Sequence, residues 1–393
     1  MRTLITVIGS GGDLNPMLGI GKELSRRGHD VTLLAGSWQE AVVRRVGLEF
    51  EAIIDNGHMD RLRASLRSSS HVGGDWVAFF KEAVLPTANS TCRHICDEAQ
   101  RSDTLLIGPS WNLGMRLAAE RCAVPLVSTS LYLRPAKTDG EQRNYDGSFN
   151  RLFSPIVDRC RKRVGLPPLE RPLNDWLTCS DKGITLVPEW FLNPQVDAAE
   201  QDRLTDFVIF DSDSSGELST QLQAFLRKYP RPVVFTFGTE SHDIGWLFKP
   251  ALNACLALGL PAIFLTKQAD QVPTLPDNVL RADYVPLNLL LPHVAGIVYH
   301  GGIGTCAQAL KAGVPQVVMP IAFDQFQNAA HVEHLGVGVR ITRKSYLGAL
   351  DGTLQEVLDS SEVRRRCREI SAKFAADSAQ ACCDSILNLA FGA

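Results

Sequence analysis

The chain has 393 residues, of which 45% are hydrophobic and 21% charged, and its formal net charge is −3. This length accommodates two separate cores. The near-neutral balance and the lack of a long basic run exclude a nucleic-acid footprint, so any phosphate binding must be built locally.

The first eight residues, five of them β-branched, are too short for a secretory h-region and lack a small-residue cleavage site. They read as a buried strand over 4–8, and a cytoplasmic protein is expected. Gly9-Ser-Gly-Gly12 then forms a tight turn. Asn15-Pro16 offers a helix N-cap followed by proline at the first helical position. The helix buries Met17, Ile20 and Leu24 and stops at Gly28. Further strands are expected at 31–35, 105–107 and 125–129. Segments 55–95 and 134–180 read as less regular, punctuated by aromatic, Gly and Ser residues. Ten cysteines lack zinc-like spacing, and Cys92-Arg-His-Ile-Cys96 reads as reduced cysteines on a helix face.

A Ser/Asp-rich stretch with one short helix suits a linker over 211–231. The pattern restarts at Pro232, with strands at 233–237, 261–265, 296–299 and 316–320 and helices near 247–258 and 304–312. The longest apolar stretch, 285–299, is broken by Pro286, Asn288, Pro292 and His293 and should not span a membrane. Alternating short strands and amphipathic helices imply an α/β chain with two parallel sheets, each covered on both faces. The expected division is 1–210, linker 211–231, 232–370, and helices over 371–393 that pack back on the first unit.

The densest constellation lies in the second half. In Gly296-Ile-Val-Tyr-His300-Gly301-Gly302-Ile-Gly304-Thr305, an apolar strand runs into glycines and a helix starts at once. Backbone N–H groups can approach a diphosphate there, and the helix N-terminus adds partial positive charge. The competing reading is a tight turn with His300 as a strand-end residue. About twenty residues on, Asp324 and Gln325 follow another strand end, at the carboxyl edge where open α/β sheets bind ligands. Tyr284 and Val285 could meet a base, and Gly238-Thr239 offers a second loop.

The segment from Tyr284 to Gln325 resembles the donor-binding signature of glycosyltransferase family 1, in the bacterial form with a His-Gly-Gly-x-Gly-Thr core. The similarity runs in order along the whole chain. Gly9-Ser-x-Gly-Asp13, Pro188-Glu-Trp-Phe191 and Tyr284-Val-Pro-Leu287 look most like its rhamnolipid rhamnosyltransferase branch. The resemblance implies the GT-B fold, two facing Rossmann-like domains with the active site between them. It also implies that Val285 meets the base through its backbone, that His300, Gly302, Gly304 and Thr305 surround the diphosphate, and that Asp324 and Gln325 hold the sugar. This chain departs from plant members at Gln308, where they carry a ribose-binding glutamate, and at Tyr284, where they stack a tryptophan on the base.

By the same resemblance the reaction is an inverting displacement with a general base near the acceptor. Asp13 is the candidate, and the bland reading makes it a helix cap, a role that Asn15-Pro16 could fill instead. Gly9-x-Gly11 lacks the third glycine of a dinucleotide fingerprint, since Leu14 stands there. Asp211-Ser-Asp213 mimics a metal-binding acid pair but reads as a solvated linker turn, so neither a metal nor any cofactor beyond the nucleotide-sugar co-substrate is expected. Gly12, Trp76, Phe80, Trp111 and Tyr132 are candidate acceptor contacts, with Phe79 and Trp190 as further aromatics; two or three should line the cleft.

The expected function is transfer of a hexose or deoxyhexose from thymidine diphosphate rhamnose or uridine diphosphate glucose to a hydroxyl of an apolar small molecule. A lipid acceptor would entail peripheral membrane association, and a homodimer is compatible. An auxiliary binding protein and a nucleotide-sugar epimerase of the same fold are the rivals.

Overall fold

Short apolar runs that end at a glycine, proline or small polar residue become the strands of two all-parallel sheets in the computed structural model. It describes residues 1–68, 74–99, 103–136, 141–178, 182–198, 203–211, 216–238 and 244–392. The first sheet contains β1 (Arg2–Thr6), β2 (Asp30–Gly36), β3 (Glu49–Ile54), β4 (Thr104–Pro109), β5 (Leu126–Ser130), β6 (Gly183–Thr185) and β7 (Arg203–Leu204). Their order is β3-β2-β1-β4-β5-β6-β7. The second contains β8 (Val233–Thr236), β9 (Ala262–Leu265), β10 (Val279–Ala282), β11 (Gly296–Tyr299), β12 (Gln316–Val318) and β13 (Gly338–Arg340), in the order β10-β9-β8-β11-β12-β13. β11 and the inner positions of β1 are fully buried, as expected where helices cover both faces of a parallel sheet. In each sheet the winding reverses beside the first strand, between β1 and β4 and between β8 and β11. These reversals open crevices at the strands' carboxyl ends, where open α/β folds bind ligands.

Several expectations change. The first helix spans Gly11–Arg26, a full turn earlier than Asn15-Pro16 suggested. The segments read as irregular are largely helical: Asn56–Ser68, Gly74–Phe79, Leu85–Ala99 and Glu141–Arg163, with a π-helical turn at Phe80–Val84. Their mixed polarity follows from packing on one side only. Cys96 is disulfide-bonded to Cys122, joining helix Leu85–Ala99 to helix Leu113–Cys122, whereas Cys92 is a buried free thiol. The apolar stretch near 285–299 divides into two short helical turns and β11. Among the described residues, no helix is long and apolar enough to cross a membrane.

Two helices of the second half are tied to the first. Helix Ser378–Phe391 lies against helix Gly11–Arg26: Arg27 pairs with Asp384 at 2.6 Å, and Cys382, Cys383 and Ile386 share a core with Ile20 and Leu24. Asp197 reaches the other way, to helix Gln325–His334. Its carboxylate accepts hydrogen bonds from the Asn193 amide (2.7 Å), Gln327 Nε2 (2.6 Å) and His331 Nε2 (2.8 Å). A carboxylate only accepts, so His331 carries its hydrogen on Nε2. Its ring lies 4.4 Å from that of Phe191. Asp197 and His331 are 4% and 1% exposed, so water does not replace either partner easily. Asp197→Ala should lower the unfolding free energy by about 3 kcal/mol, because it strands buried donors. Urea denaturation followed by circular dichroism checks this, and a loss under about 1 kcal/mol would mean that the helix holds without the carboxylate.

Candidate active site

β11 ends at Tyr299, and the chain turns through His300, Gly301 and Gly302 into helix Ile303–Ala312. Gly301 has φ +94°, and a Cβ there would stand 2.9 Å from the Gln325 carbonyl oxygen. A Cβ on Gly302 would stand 2.6 Å from His300 Nε2, so the imidazole lies over this residue only because it is glycine. Gly302 is also the N-cap and supplies no side-chain cap, which leaves the first-turn amides for an external acceptor. Gly304 and Thr305 lie in that turn. Burial pushes the His300 imidazole down to about 4, so it is neutral at pH 7. His300 Nδ1 and Gln308 Oε1 are buried with no hydrogen-bond partner among the described residues. Buried polar atoms are rarely left unpaired, and these two border the glycine turn, as groups awaiting a polar ligand would.

Asp324 precedes helix Gln325–His334. Its carboxylate accepts from Asn328 Nδ2 at 2.7 Å, and the same nitrogen donates to the Gly301 carbonyl at 2.9 Å. Asn328 thereby ties the acid to the glycine turn. Burial, with a contribution from the charge of Asp13, pushes Asp324 up to about 6. Gln325 Oε1 accepts from the amides of Ile321 (2.8 Å) and Ala322 (3.0 Å), so its side-chain nitrogen is the group left to meet a ligand.

On the facing side, Asp13 departs from the reading that spared it a capping role. Ser10 is the N-cap of Gly11–Arg26, and Asp13 completes a capping box: Asp13 Oδ2 accepts from the Ser10 amide (2.7 Å) and hydroxyl (3.2 Å). A Cβ on Gly9 would collide with that oxygen at 2.2 Å. Oδ1 is the atom available to a substrate, and burial raises the carboxyl's pKa. Pro16 lies inside the helix and lacks the N–H that would have bonded the Gly12 carbonyl. A Cβ on Gly304 would come 3.5 Å from Gly12 Cα. The two helix N-termini therefore meet across the cleft.

A pocket beside Asp13 is lined by Thr6, Met17, Pro109, Trp111, Ser130 and Tyr132. Trp76 packs on Tyr132 with ring centroids 5.9 Å apart, and Phe79 on Trp111 at 4.9 Å. Phe80 is not an acceptor contact: it is 4% exposed and packs on Phe149 and Phe153 inside the core. Trp190 likewise sits among Phe191, Phe207 and Phe374. Val285 contributes its side chain to the second core. Tyr284 is 43% exposed and its hydroxyl donates to Asp211 at 3.0 Å. Asp211 is thus a buried acceptor at 5% exposure rather than part of a solvated turn. Gly238, φ +94°, follows β8; Thr239 and Asp213 lie outside the described residues. Among the described residues, no group of three or more His, Cys, Asp or Glu is placed to hold a metal ion.

The sequence reading missed Asn328, Phe323 and Asp75. Asn328 was within reach, since it lies one helical turn from Asp324.

Two parallel-sheet domains facing each other across such a cleft define a GT-B scaffold. Residues 3–127 match the glycosyltransferase family 28 N-terminal domain, and residues 256–386 match the C-terminal domain of erythromycin biosynthesis protein CIII-like proteins. Together the two matches fall on both halves of the chain, which is a glycosyltransferase of the GT-B fold. It is 27% identical to glycosyltransferase GtfE of Amycolatopsis orientalis, over 98% of this chain and 96% of that one. It is 26% identical to a sterol 3-beta-glucosyltransferase of Saccharomyces cerevisiae (strain YJM789), over 86% of this chain but 31% of the yeast protein, so it spans about a third of such relatives. The crystal structure of the kitacinnamycin glycotransferase superposes with a TM-score of 0.76 at 22% identity, covering 99% of both chains.

The packing of His300 over Gly302 makes one site test direct. Gly302→Val should displace the imidazole and close the amide approach, weakening uridine or thymidine diphosphate binding by at least about tenfold, the loss of roughly one good hydrogen bond. Calorimetry measures it, and unchanged affinity with both nucleotides would place the diphosphate elsewhere.

Proposed function

We propose that this protein transfers a hexose or deoxyhexose from thymidine diphosphate rhamnose or uridine diphosphate glucose to a hydroxyl of an apolar small molecule, with inversion at the anomeric carbon and without a metal ion. The observation that carries this reading is the approach of Gly12 to Gly304, which brings two helix N-termini and the carboxyl groups of Asp13 and Asp324 to one cleft. The names of the relatives add that such chains serve sterol and natural-product acceptors, which suits a pocket walled by Trp111 and Tyr132.

In this scheme Asp13 Oδ1 takes the proton from the acceptor hydroxyl. The acceptor oxygen bonds to the anomeric carbon as the bond to the β-phosphate oxygen breaks. The departing diphosphate gains negative charge, which the amides after Gly302, the Thr305 hydroxyl and an N–H of neutral His300 meet. Gly238 borders the phosphates from the second loop. Tyr284 and the Val285 backbone face the base, Gln308 the ribose, and Asp324 with the Gln325 side-chain nitrogen the sugar hydroxyls.

Asp13→Asn keeps an oxygen for the Ser10 amide, so the fold should survive while turnover falls by roughly 10²–10⁴-fold. Retention of a tenth or more of wild-type activity would remove Asp13 as the base. Asp324 sets a pH dependence. Its folded-state pKa, about 6, lies above the usual carboxylate value, so it is charged at pH 7.5 and mostly protonated at pH 5. Affinity for the sugar nucleotide, whose esterified diphosphate does not titrate in this range, should drop over that interval in the wild type but not in Asp324→Asn. Parallel calorimetric titrations compare the two proteins, and equal losses would point to the diphosphate site instead. Adding a chelator should leave both titrations unchanged; a strong loss would overturn metal independence.

A further inference from the structure

Phe323 is an aromatic residue with φ +55°, a conformation that bulky L-residues rarely adopt. It stands immediately before Asp324 in the donor-binding half, yet its ring leaves that half. Among the described residues packed on the first-half core around helix Leu85–Ala99, Phe323 is the one contributed by the second half. It meets Trp76 edge-on at 5.3 Å and Phe79 at 6.5 Å. Trp76 in turn touches Tyr132 and Phe79 touches Trp111, and those two rings line the pocket beside Asp13. Asp75 fixes the arrangement, with Oδ2 accepting the Phe323 amide at 2.7 Å and Oδ1 the Trp76 amide at 2.9 Å.

We propose that Phe323 is a positioning residue for acceptor selectivity, lent by the donor-binding half to brace the Trp76–Phe79 layer behind the acceptor pocket. The inference rests on the transferase reading for the meaning of the pocket. A strained backbone persists where its surroundings over-determine it, and such positions gather at functional sites. Glycine would adopt this φ freely, so what phenylalanine adds is its ring. That ring is directed at the aromatic layer behind the acceptor pocket. With the brace gone, Trp76 and Phe79 have room to retreat, and the pocket should favour broader acceptors over flat ones.

The test compares Phe323→Gly, Phe323→Ala and Phe323→Tyr with the wild type. Calorimetry reads binding of uridine diphosphate, 2-naphthol and estradiol, and mass spectrometry reads transfer from both candidate donors. The Gly and Ala variants should keep uridine diphosphate affinity within about twofold. Their estradiol-to-naphthol affinity ratio should rise at least about tenfold, as expected when one aromatic contact in a pocket wall is lost. The Tyr variant, which keeps a ring, should hold the wild-type ratio. An unchanged ratio in both Gly and Ala overturns the proposal. So does a wild-type ratio in Gly alone, which would assign the effect to backbone strain, and so does wild-type protein that binds neither alcohol. Should Ala fail to fold, Gly carries the comparison, since it relieves the φ. Wild-type protein that binds the alcohols and transfers no sugar would defeat the transferase reading while leaving this one standing.

Discussion

Helix Gly11–Arg26 and helix Ile303–Ala312 point their N-termini at each other, and the cleft is organised around that opposition. Each tip carries amides without intrahelical partners and partial positive charge, so the pair is unfavourable with nothing between them. Glycine at positions 12 and 304 lets the tips approach closely. Asp13 sits in the first of these termini, and Asp324, at the start of helix Gln325–His334, lies near enough to feel its charge, which sets two acids against each other. The outcome is a charge pattern that a diphosphate and a sugar can complete. Nearby, His300 Nδ1 and Gln308 Oε1 are buried with no hydrogen-bond partner among the described residues.

The opposition also needs external support, because two tips do not hold each other. Asp197 fixes helix Gln325–His334 from the first half by two hydrogen bonds, from Gln327 and His331. That helix carries Asn328, which ties Asp324 to the carbonyl of Gly301. A carboxylate far from any substrate is thereby linked, through one helix, to the acid expected to meet the sugar. Asp75 works in parallel at the opposite end of the same loop. The donor loop is held from the first half at both ends.

Much of this was legible from residues alone. A strand running into glycines and then a helix, as at 296–305, has few alternatives, and the turn appears where that pattern placed it. Central strands were readable because both faces are buried and their runs are continuously apolar. β3 was not: its Glu-Phe-Glu-Ala-Ile-Ile run sits at a sheet edge with most positions open to solvent. β6 and β7 carry only three and two residues, and β10 and β13 form the edges of the second sheet, with most positions partly open to solvent. Asp13 is more instructive. Ser10 with an acid three residues on is a capping-box pattern, but Asn15-Pro16 offered a competing start. Local rules do not decide between two plausible caps. The contacts of Phe323 with Asp75 and Trp76 were out of reach, since the first pair is 248 residues apart in the chain.

The return of helix Ser378–Phe391 to the first sheet bears on how the protein is made. Cys382, Cys383 and Ile386 complete the apolar face of helix Gly11–Arg26, and Lys182 beside β6 donates to the Ala390 carbonyl at 2.9 Å. Until synthesis has passed these residues, the first sheet emerges with one helix face uncovered. Domains usually fold in the order in which they leave the ribosome. Here the half that appears first is the one that must wait, so the second half acquires its core while the first is still exposed to mispairing or capture by a chaperone.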